Sequence, residues 1–276
     1  MFVEVYIVSW NEEKILPFVL DHYAEFCDRI VLLDNWSDDS SYELIANRLT
    51  TESTSHIGGA ECWQSSGRFP VVDIKQWDSL QEEDEEGNSR PVYDERVLTH
   101  IKENCFQIYG GGSDWVMVVD ADEFYYHPNM RDKLEEYMNK GINYPLVEGF
   151  EMVSKNFPKY EMGTLLVDQV KTGWKETGMN KRCIFDPRVA MGNKLCFGSH
   201  GMFMREDLAI ENDKEEIKLL HYKDLSADYK IERRRLLRSR RSKWTTDEGL
   251  CSHWDQSEEH IREQFKKKLE ECKEVI

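Results

Sequence analysis

Asp114-Trp115-Val116-Met117-Val118-Val119-Asp120-Ala121-Asp122-Glu123-Phe124 decides how this chain is read. Val116 to Val119, three of the four β-branched, reads as a short buried strand. It runs straight into Asp120 and Asp122, two carboxylates one residue apart. At the carboxyl end of a parallel strand such a pair projects into the crevice where open α/β sheets bind ligands. Close carboxylates repel each other, and a hard divalent cation relieves that cost while keeping open positions for phosphate oxygens. The stretch therefore predicts a metal–diphosphate site. An Asp-x-Asp after a strand also fits a solvated turn, so the flanking sequence decides.

Upstream, Phe2 to Val8 is apolar on both faces, as a parallel strand covered on each side requires. Ser9-Trp10-Asn11-Glu12-Glu13 follows, then a helix to about Phe26 with Ile15, Leu16, Val19, Leu20 and Tyr23 inward. Ile30 to Leu33 and Phe69 to Ile74 read as strands. Asp34 to Ser41 is a polar loop before a helix from Tyr42 to about Leu49, and residues 50–68 read as a surface insertion. Gln81 to Arg90 reads as an acidic loop. Val92 to Ile108 reads as a helix packing Val97, Ile101, Cys105 and Ile108 inward, stopped by Gly110-Gly111-Gly112. This alternation predicts a doubly wound α/β half with its loops gathered at one edge.

Beyond Pro128 a helix is expected over Arg131 to Lys140. Strands are expected over Pro145–Ser154, Leu165–Lys171, Cys183–Phe185, Leu195–Phe197 and Glu215–Tyr222. Asp228 to Lys243 is a strongly basic helix, and the tail to Ile276 is helical and mixed in charge. The expected division is an α/β domain over 1–227, in two halves (1–127 and 128–227), and a basic, then mixed-charge helical C-terminal extension over 228–276.

The 276 residues, 40% hydrophobic with eight Trp, suit a folded globular protein with a full core. A net charge of −17 argues against general nucleic-acid binding, and an anionic ligand would need a local metal or a cationic pocket. No apolar run approaches the ~18–20 residues of a membrane span. The N-terminus lacks a basic region and enters a strand at once, so no signal peptide is expected. Cys27, Cys62, Cys105, Cys183, Cys196, Cys251 and Cys272 show no CxxC or zinc spacing, which predicts reduced thiols and a cytoplasmic location.

Several motifs in order resemble the family 2 type of GT-A-fold glycosyltransferases. They are Val8-Ser9-Trp10-Asn11-Glu12, Ile30 to Asn35 with Ser37, Asp39 and Ser40, and Asp120-Ala121-Asp122-Glu123. Later come Gly149-Phe150-Glu151-Met152, Phe157-Pro158, Lys181 with Phe185-Asp186-Pro187, Gly198-Ser199-His200 and Leu220-His221-Tyr222. The resemblance runs over residues 3 to 225 and implies that 1–227 is a GT-A-like glycosyltransferase domain with a nucleotide-sugar-binding half (1–127) and an acceptor-side half (128–227). It implies a GT-A (nucleotide-diphospho-sugar transferase) fold, an α/β fold with a mostly parallel central sheet flanked by helices. The implied activity is transfer of a sugar from a nucleotide-diphosphate donor, UDP-sugar favoured, to a hydroxyl of a glycan, lipid-linked or protein-linked acceptor.

By the same resemblance, Ser9, Asn11 and Glu12 would border the nucleotide, and Asp34 with Asn35 would meet the base or ribose. Arg96 would contact the nucleotide and Lys181 the diphosphate. Asp120 and Asp122 would hold Mn²⁺ or Mg²⁺, with His221 completing the shell. Imidazole favours manganese. Helix capping explains Asn11 and Glu12 equally well, and turn chemistry explains Asp34 and Asn35.

An inverting enzyme would need a general base, for which Glu148, Glu151, Asp168 and His200 stand in the acceptor-side half; spacing does not choose among them. The Arg-rich segment 230–243 would meet an acidic membrane surface, hold an anionic acceptor, or lie against the acidic remainder of the chain. Two other readings compete. A nucleotidyltransferase would also pair carboxylates with a metal, but it usually carries a Gly-rich basic loop after the first strand, absent from Ser9-Trp10-Asn11-Glu12. A non-catalytic nucleotide-sugar-binding protein would keep the fold without turnover.

Overall fold

The computed structural model describes residues 1–45, 70–84, 86–195, 202–205 and 207–276. Strands β1 (Val3–Ser9), β2 (Arg29–Asp34), β3 (Val71–Gln76) and β6 (Trp115–Asp120) form a parallel sheet in the order β6-β1-β2-β3. Between them, β4 (Leu80–Glu83) and β5 (Ser89–Val92) make a separate antiparallel hairpin, where an acidic loop was expected. Every residue of β1 is buried, because helices cover both faces. Val5, Ile7, Ile30, Leu32, Met117 and Val119 pack in one core with α1 (Leu16–Ala24). Tyr6, Val31, Leu33, Val116 and Val118 pack in another with α2 (Glu95–Tyr109). Adjacent residues pointing to opposite faces is the period-2 rule of a two-sided strand. The expected α/β fold with a mostly parallel central sheet flanked by helices is present.

The chain leaves β6 through Ala121 and Asp122 and enters β7 (Glu123–Tyr126), which belongs to a second sheet. After α3 (Met130–Asn139) come β8 (Val147–Val153), β9 (Thr172–Lys175), β10 (Ile184–Phe185), β11 (Ala190–Leu195), β12 (Met202–Met204), β13 (Ile217–Asp224) and β14 (Lys273–Glu274). The second sheet runs β14-β9-β8-β13-β7, and β10 returns antiparallel to the edge of β6. Leu166–Gln169 is a single helical turn preceding β9, not the strand expected over Leu165–Lys171. Only two apolar residues of that turn face the core, too few to sustain strand alternation.

The register aligns the strand exits. Ser9 stands opposite Asp34, and Val8 opposite Asp120, so three loops open on one sheet edge. In the second sheet His221 stands opposite both Glu123 and Glu151. Gly149 lets this sheet approach the 176–181 segment, since a Cβ there would lie 2.2 Å from the Met179 carbonyl. Beyond β13 lie α4 (Ala227–Arg240), a short helix over Lys243–Asp247 and α5 (Glu258–Glu271), and α4 begins with Ser226 accepting the Tyr229 N–H at 3.1 Å. No helix among the described residues is long and apolar enough to cross a membrane. None of the described cysteines forms a disulfide.

Candidate functional site

The aligned strand exits and α4 enclose a cleft of about 390 Å³. Its floor carries Ser9, Glu12, Asp120, Asp122 and His221, and its walls include Trp10, Asn35, Trp77, Lys102 and Lys181. Lys230, Arg233, Arg234, Leu237 and Arg240 supply the roof. Those five recur at helical spacing, so one face of α4 is turned into the cleft.

Asp122 lies where the chain passes from one sheet to the other. Its carbonyl accepts the Tyr222 N–H at 2.8 Å, which brings β13 alongside. His221 Nε2 then sits 3.4 Å from Asp122 Oδ2, and His221 Nδ1 3.2 Å from Glu151 Oε1. Burial would lower the imidazole pKa, but Glu151 and Asp122 outweigh it and raise it to about 9. Burial would raise the Asp122 carboxyl; His221, Arg233 and Lys181 reverse that and hold it well below the usual carboxylate range.

Asp120 is placed differently. Its Oδ1 meets the Lys102 ammonium at 2.7 Å, and its N–H donates to Glu123 Oε2 at 3.0 Å. Glu123 in turn pairs with Lys181. Against the effect of burial, Lys102 and then Lys181 hold the Asp120 carboxyl low. Glu12 pairs with Arg233, yet burial, reinforced by the charges of Asp122, Asp120 and Asp39, pushes its pKa up to about 8.

The pair Asp122–His221 fits a divalent ion on three counts. A separation of 3.4 Å suits neighbouring donors on one ion with bonds of about 2.1 Å. With an ion in place of the Nε2 proton, Nδ1–H donating to Glu151 would hold the remaining tautomer, the usual support of a ligating histidine. Ser9 Oγ and Glu12 Oε2 are buried acceptors without hydrogen-bond partners around the same space, and buried polar atoms are normally satisfied; the likewise unpartnered Arg233 Nη1 suits an anionic group beside the ion. Among the described residues no three His, Cys, Asp or Glu groups converge as a closed shell. An ion here would therefore depend on phosphate oxygens or water for its remaining positions.

No family model and no curated protein matches the chain. Among solved structures, it is similar to a crystal structure of S. aureus TarS 1–349, with 11% identity, TM-score 0.44, 86% of this chain and 64% of that chain covered. The same fragment in complex with UDP-GlcNAc gives 10% identity and TM-score 0.41, over 86% of this chain and 65% of that one. Glucosyl-3-phosphoglycerate synthase from Mycobacterium tuberculosis, in complex with Mn²⁺, UDP and phosphoglyceric acid, gives 18% identity and TM-score 0.28, over 54% and 43%. The chain thus spans a little under two thirds of the TarS fragment. Similarity at this level identifies neither a family nor an activity.

Several residues singled out from the sequence stand away from the cleft. Asp34 is buried and spends its carboxylate on Ser37, accepting from Oγ–H at 2.6 Å and N–H at 3.2 Å. Asn11, at φ 53°, exchanges hydrogen bonds with Asp38. Both shape a loop whose Ser41 and Asp39 accept the N–H groups of Glu12 and Glu13. Arg96 forks onto Asp94 and stacks 4.3 Å over Trp244. Glu148 pairs with Lys175 at 2.6 Å. Glu151 is spent on His221 and Lys223. Asp168 lies near Tyr126 and Tyr222, and His200 falls outside the described residues. Ser9, Glu12, Asn35, Asp120, Asp122, Lys181 and His221 do line the cleft.

Sequence reasoning missed Lys102 and the α4 stripe. The inward face of α2 is Leu98, Lys102, Cys105 and Phe106, while Ile108 is 65% exposed. A lysine inside an apolar stripe was the available signal, since a lysine is buried only when paired. In α4, the spacing of Lys230, Arg233, Arg234 and Arg240 was legible as one face. Arg235 and Arg241 instead pair with Glu258 and Asp255.

Proposed function

We propose that this chain is a metal-dependent glycosyltransferase of GT-A type. It would move a sugar from a nucleotide-diphosphate donor, UDP-sugar first, to a hydroxyl of a glycan, lipid-linked or protein-linked acceptor. The observation that carries the reading is the Asp122–His221 pair, 3.4 Å apart at the exit of the central strand and inside a basic-roofed cleft.

Asp122 and His221 would hold the ion, and manganese suits a set containing imidazole better than magnesium does. When bound, that ion would act as a Lewis acid toward the diphosphate as the sugar leaves. Arg233, beside Asp122 on the roof, would share the negative charge that develops on the leaving group. Lys102 and Lys181 hold Asp120 and Glu123 in place rather than touching the donor. Ser9, Trp10, Asn35 and Trp77 would frame the nucleoside. Arg240 stiffens that wall by stacking 4.0 Å over Trp10 while donating to Asn35 Oδ1 at 2.8 Å.

A thermal-shift and hydrolysis screen of nucleotide-sugars with and without Mn²⁺ tests this. A UDP-sugar should raise the melting temperature in an ion-dependent way and release UDP. Stabilisation without release would indicate a binding protein. A preference for a nucleoside triphosphate and a sugar phosphate would indicate a nucleotidyltransferase. Indifference to every nucleotide-sugar sinks the reading.

A further inference from the structure

Where the cleft reaches β13, positive charge exceeds its local compensation. Two buried carboxylates, Glu151 and Asp224, serve that region. Glu151 Oε1 is already shared by His221 and Lys223, and Asp224 is shared by Lys230 and by Lys268, the latter at 2.8 Å. Arg234 joins the same group. Its described hydrogen bond goes to the uncharged amide of Gln256, at 2.5 Å, and burial outweighs the pull of Asp224 and Glu151 to depress its pKa. The surplus reaches the rim: burial, then Arg234, Lys223 and Lys230, hold the His253 imidazole below its ordinary value. In a chain of net charge −17 such a concentration is not a by-product of composition. Holding a half-buried guanidinium without an anion is costly, and a ligand oxyanion would relieve that cost.

We propose that Lys223, Lys230 and Arg234 form a second anion site, separate from the Asp122–His221 pair, that takes a phosphate group carried by the acceptor. Naming the ligand an acceptor rests on the glycosyltransferase reading; the anion site itself does not. Lys223 is 38% exposed and reachable from solvent. Arg234 supplies the fork that matches two phosphate oxygens, and Lys230, on the same helix and held against Asp224, adds charge beside it.

The test titrates the full chain with inorganic phosphate, with and without saturating UDP and a divalent ion, by calorimetry. Phosphate should bind alongside UDP. Arg234→Gln and Lys223→Gln should each weaken phosphate about 10-fold or more, weaken UDP far less than they weaken phosphate, and keep the wild-type melting temperature within a few degrees; an equal loss of both ligands overturns a separate site. Arg234→Lys should retain part of the phosphate affinity, which guards against a merely misfolded Gln variant. Co-sedimentation with phosphatidylcholine vesicles, with and without phosphatidic acid, separates the two sources of the group. Arg234-dependent pelleting puts the phosphate on a lipid, and Arg234-dependent binding of free phosphate alone puts it on a soluble acceptor. Phosphate that competes with UDP, binds equally well to the variants, or fails to bind overturns the proposal. Failure of UDP to bind, with Arg234-dependent phosphate binding intact, overturns the donor reading alone.

Discussion

Lys102 Nζ lies 2.7 Å from Asp120 Oδ1, and the lysine side chain is almost wholly buried. One carboxylate of the Asp-x-Asp pair is thus tied to the core by a lysine on α2, while the other faces His221. Lys102→Met should leave the Asp120 carboxylate without its direct cationic partner, with only the more distant Lys181 to compensate it. Removing one partner of a buried pair costs on the order of 3 kcal/mol, so the melting temperature should fall by roughly 6–12 °C. Adding Asp120→Asn should recover much of that loss. A double-mutant cycle by thermal denaturation checks it, and additive losses would mean the two groups are not coupled.

Asp122 and His221 are proposed as the ion-holding pair, so Asp122→Ala should remove metal-dependent turnover by a factor of about 10² or more. The Mn²⁺-dependent thermal shift should vanish with it, while circular dichroism stays native. Full activity in this variant would end the mechanism proposed for the cleft.

Arg233 reaches from α4 to Glu12, and both feel Asp122. Losing a charge-assisted contact to phosphate is worth about 1.5–3 kcal/mol. Arg233→Ala should therefore weaken UDP by roughly 10- to 100-fold. Glu12→Gln should not weaken it, because it loosens the hold on the Arg233 guanidinium and, with the Glu12 pKa pushed up to about 8, removes little charge near neutral pH. Calorimetric affinities for the two variants decide the matter; equal losses would make Glu12 a nucleotide ligand in its own right.

His22 predicts a specific acid sensitivity. Its ring is buried among Tyr23, Phe26 and Phe124 with Nε2 2.8 Å from the Tyr125 carbonyl. Burial lowers its pKa from 6.5 to about 4. Above pH 6.5 both folded and unfolded chains keep it neutral, so it affects stability little. Between 6.5 and 4 only the unfolded chain takes the proton, and stability falls as pH falls, by on the order of 3 kcal/mol across that window. His22→Gln, which can still donate to Tyr125, should flatten this part of the stability–pH curve measured by urea unfolding. An unchanged slope would refute the assignment.

Strands β1, β2 and β6 of the parallel sheet were legible because each is a short run rich in apolar residues on both faces, and only burial on both sides tolerates that pattern; the edge strand β3 carries Asp73 and Lys75. Asp122 stood out for a related reason: a carboxylate directly after such a run has nowhere to go but a loop at the sheet edge. The inward face of α2 was misjudged, placing Ile108 inside and passing over Lys102, since hydropathy cannot register a lysine neutralised by a distant Asp120. The hairpin at β4 and β5 was hidden by its acidic composition, which gives no apolar alternation to read.

The order of residues by itself determined the alternating strands and helices, the two carboxylates after the central strand and the basic face of the late helix, since these depend on local period and composition. Only the tertiary structure decided what those features meet. Register brought His221 to Asp122 and Glu151, and the return of α4 over the strand exits turned Lys230, Arg233, Arg234 and Arg240 into a cleft wall. Such contacts join residues 70 or more positions apart, and their charges are tolerable only as a set. No local window of sequence contains both partners.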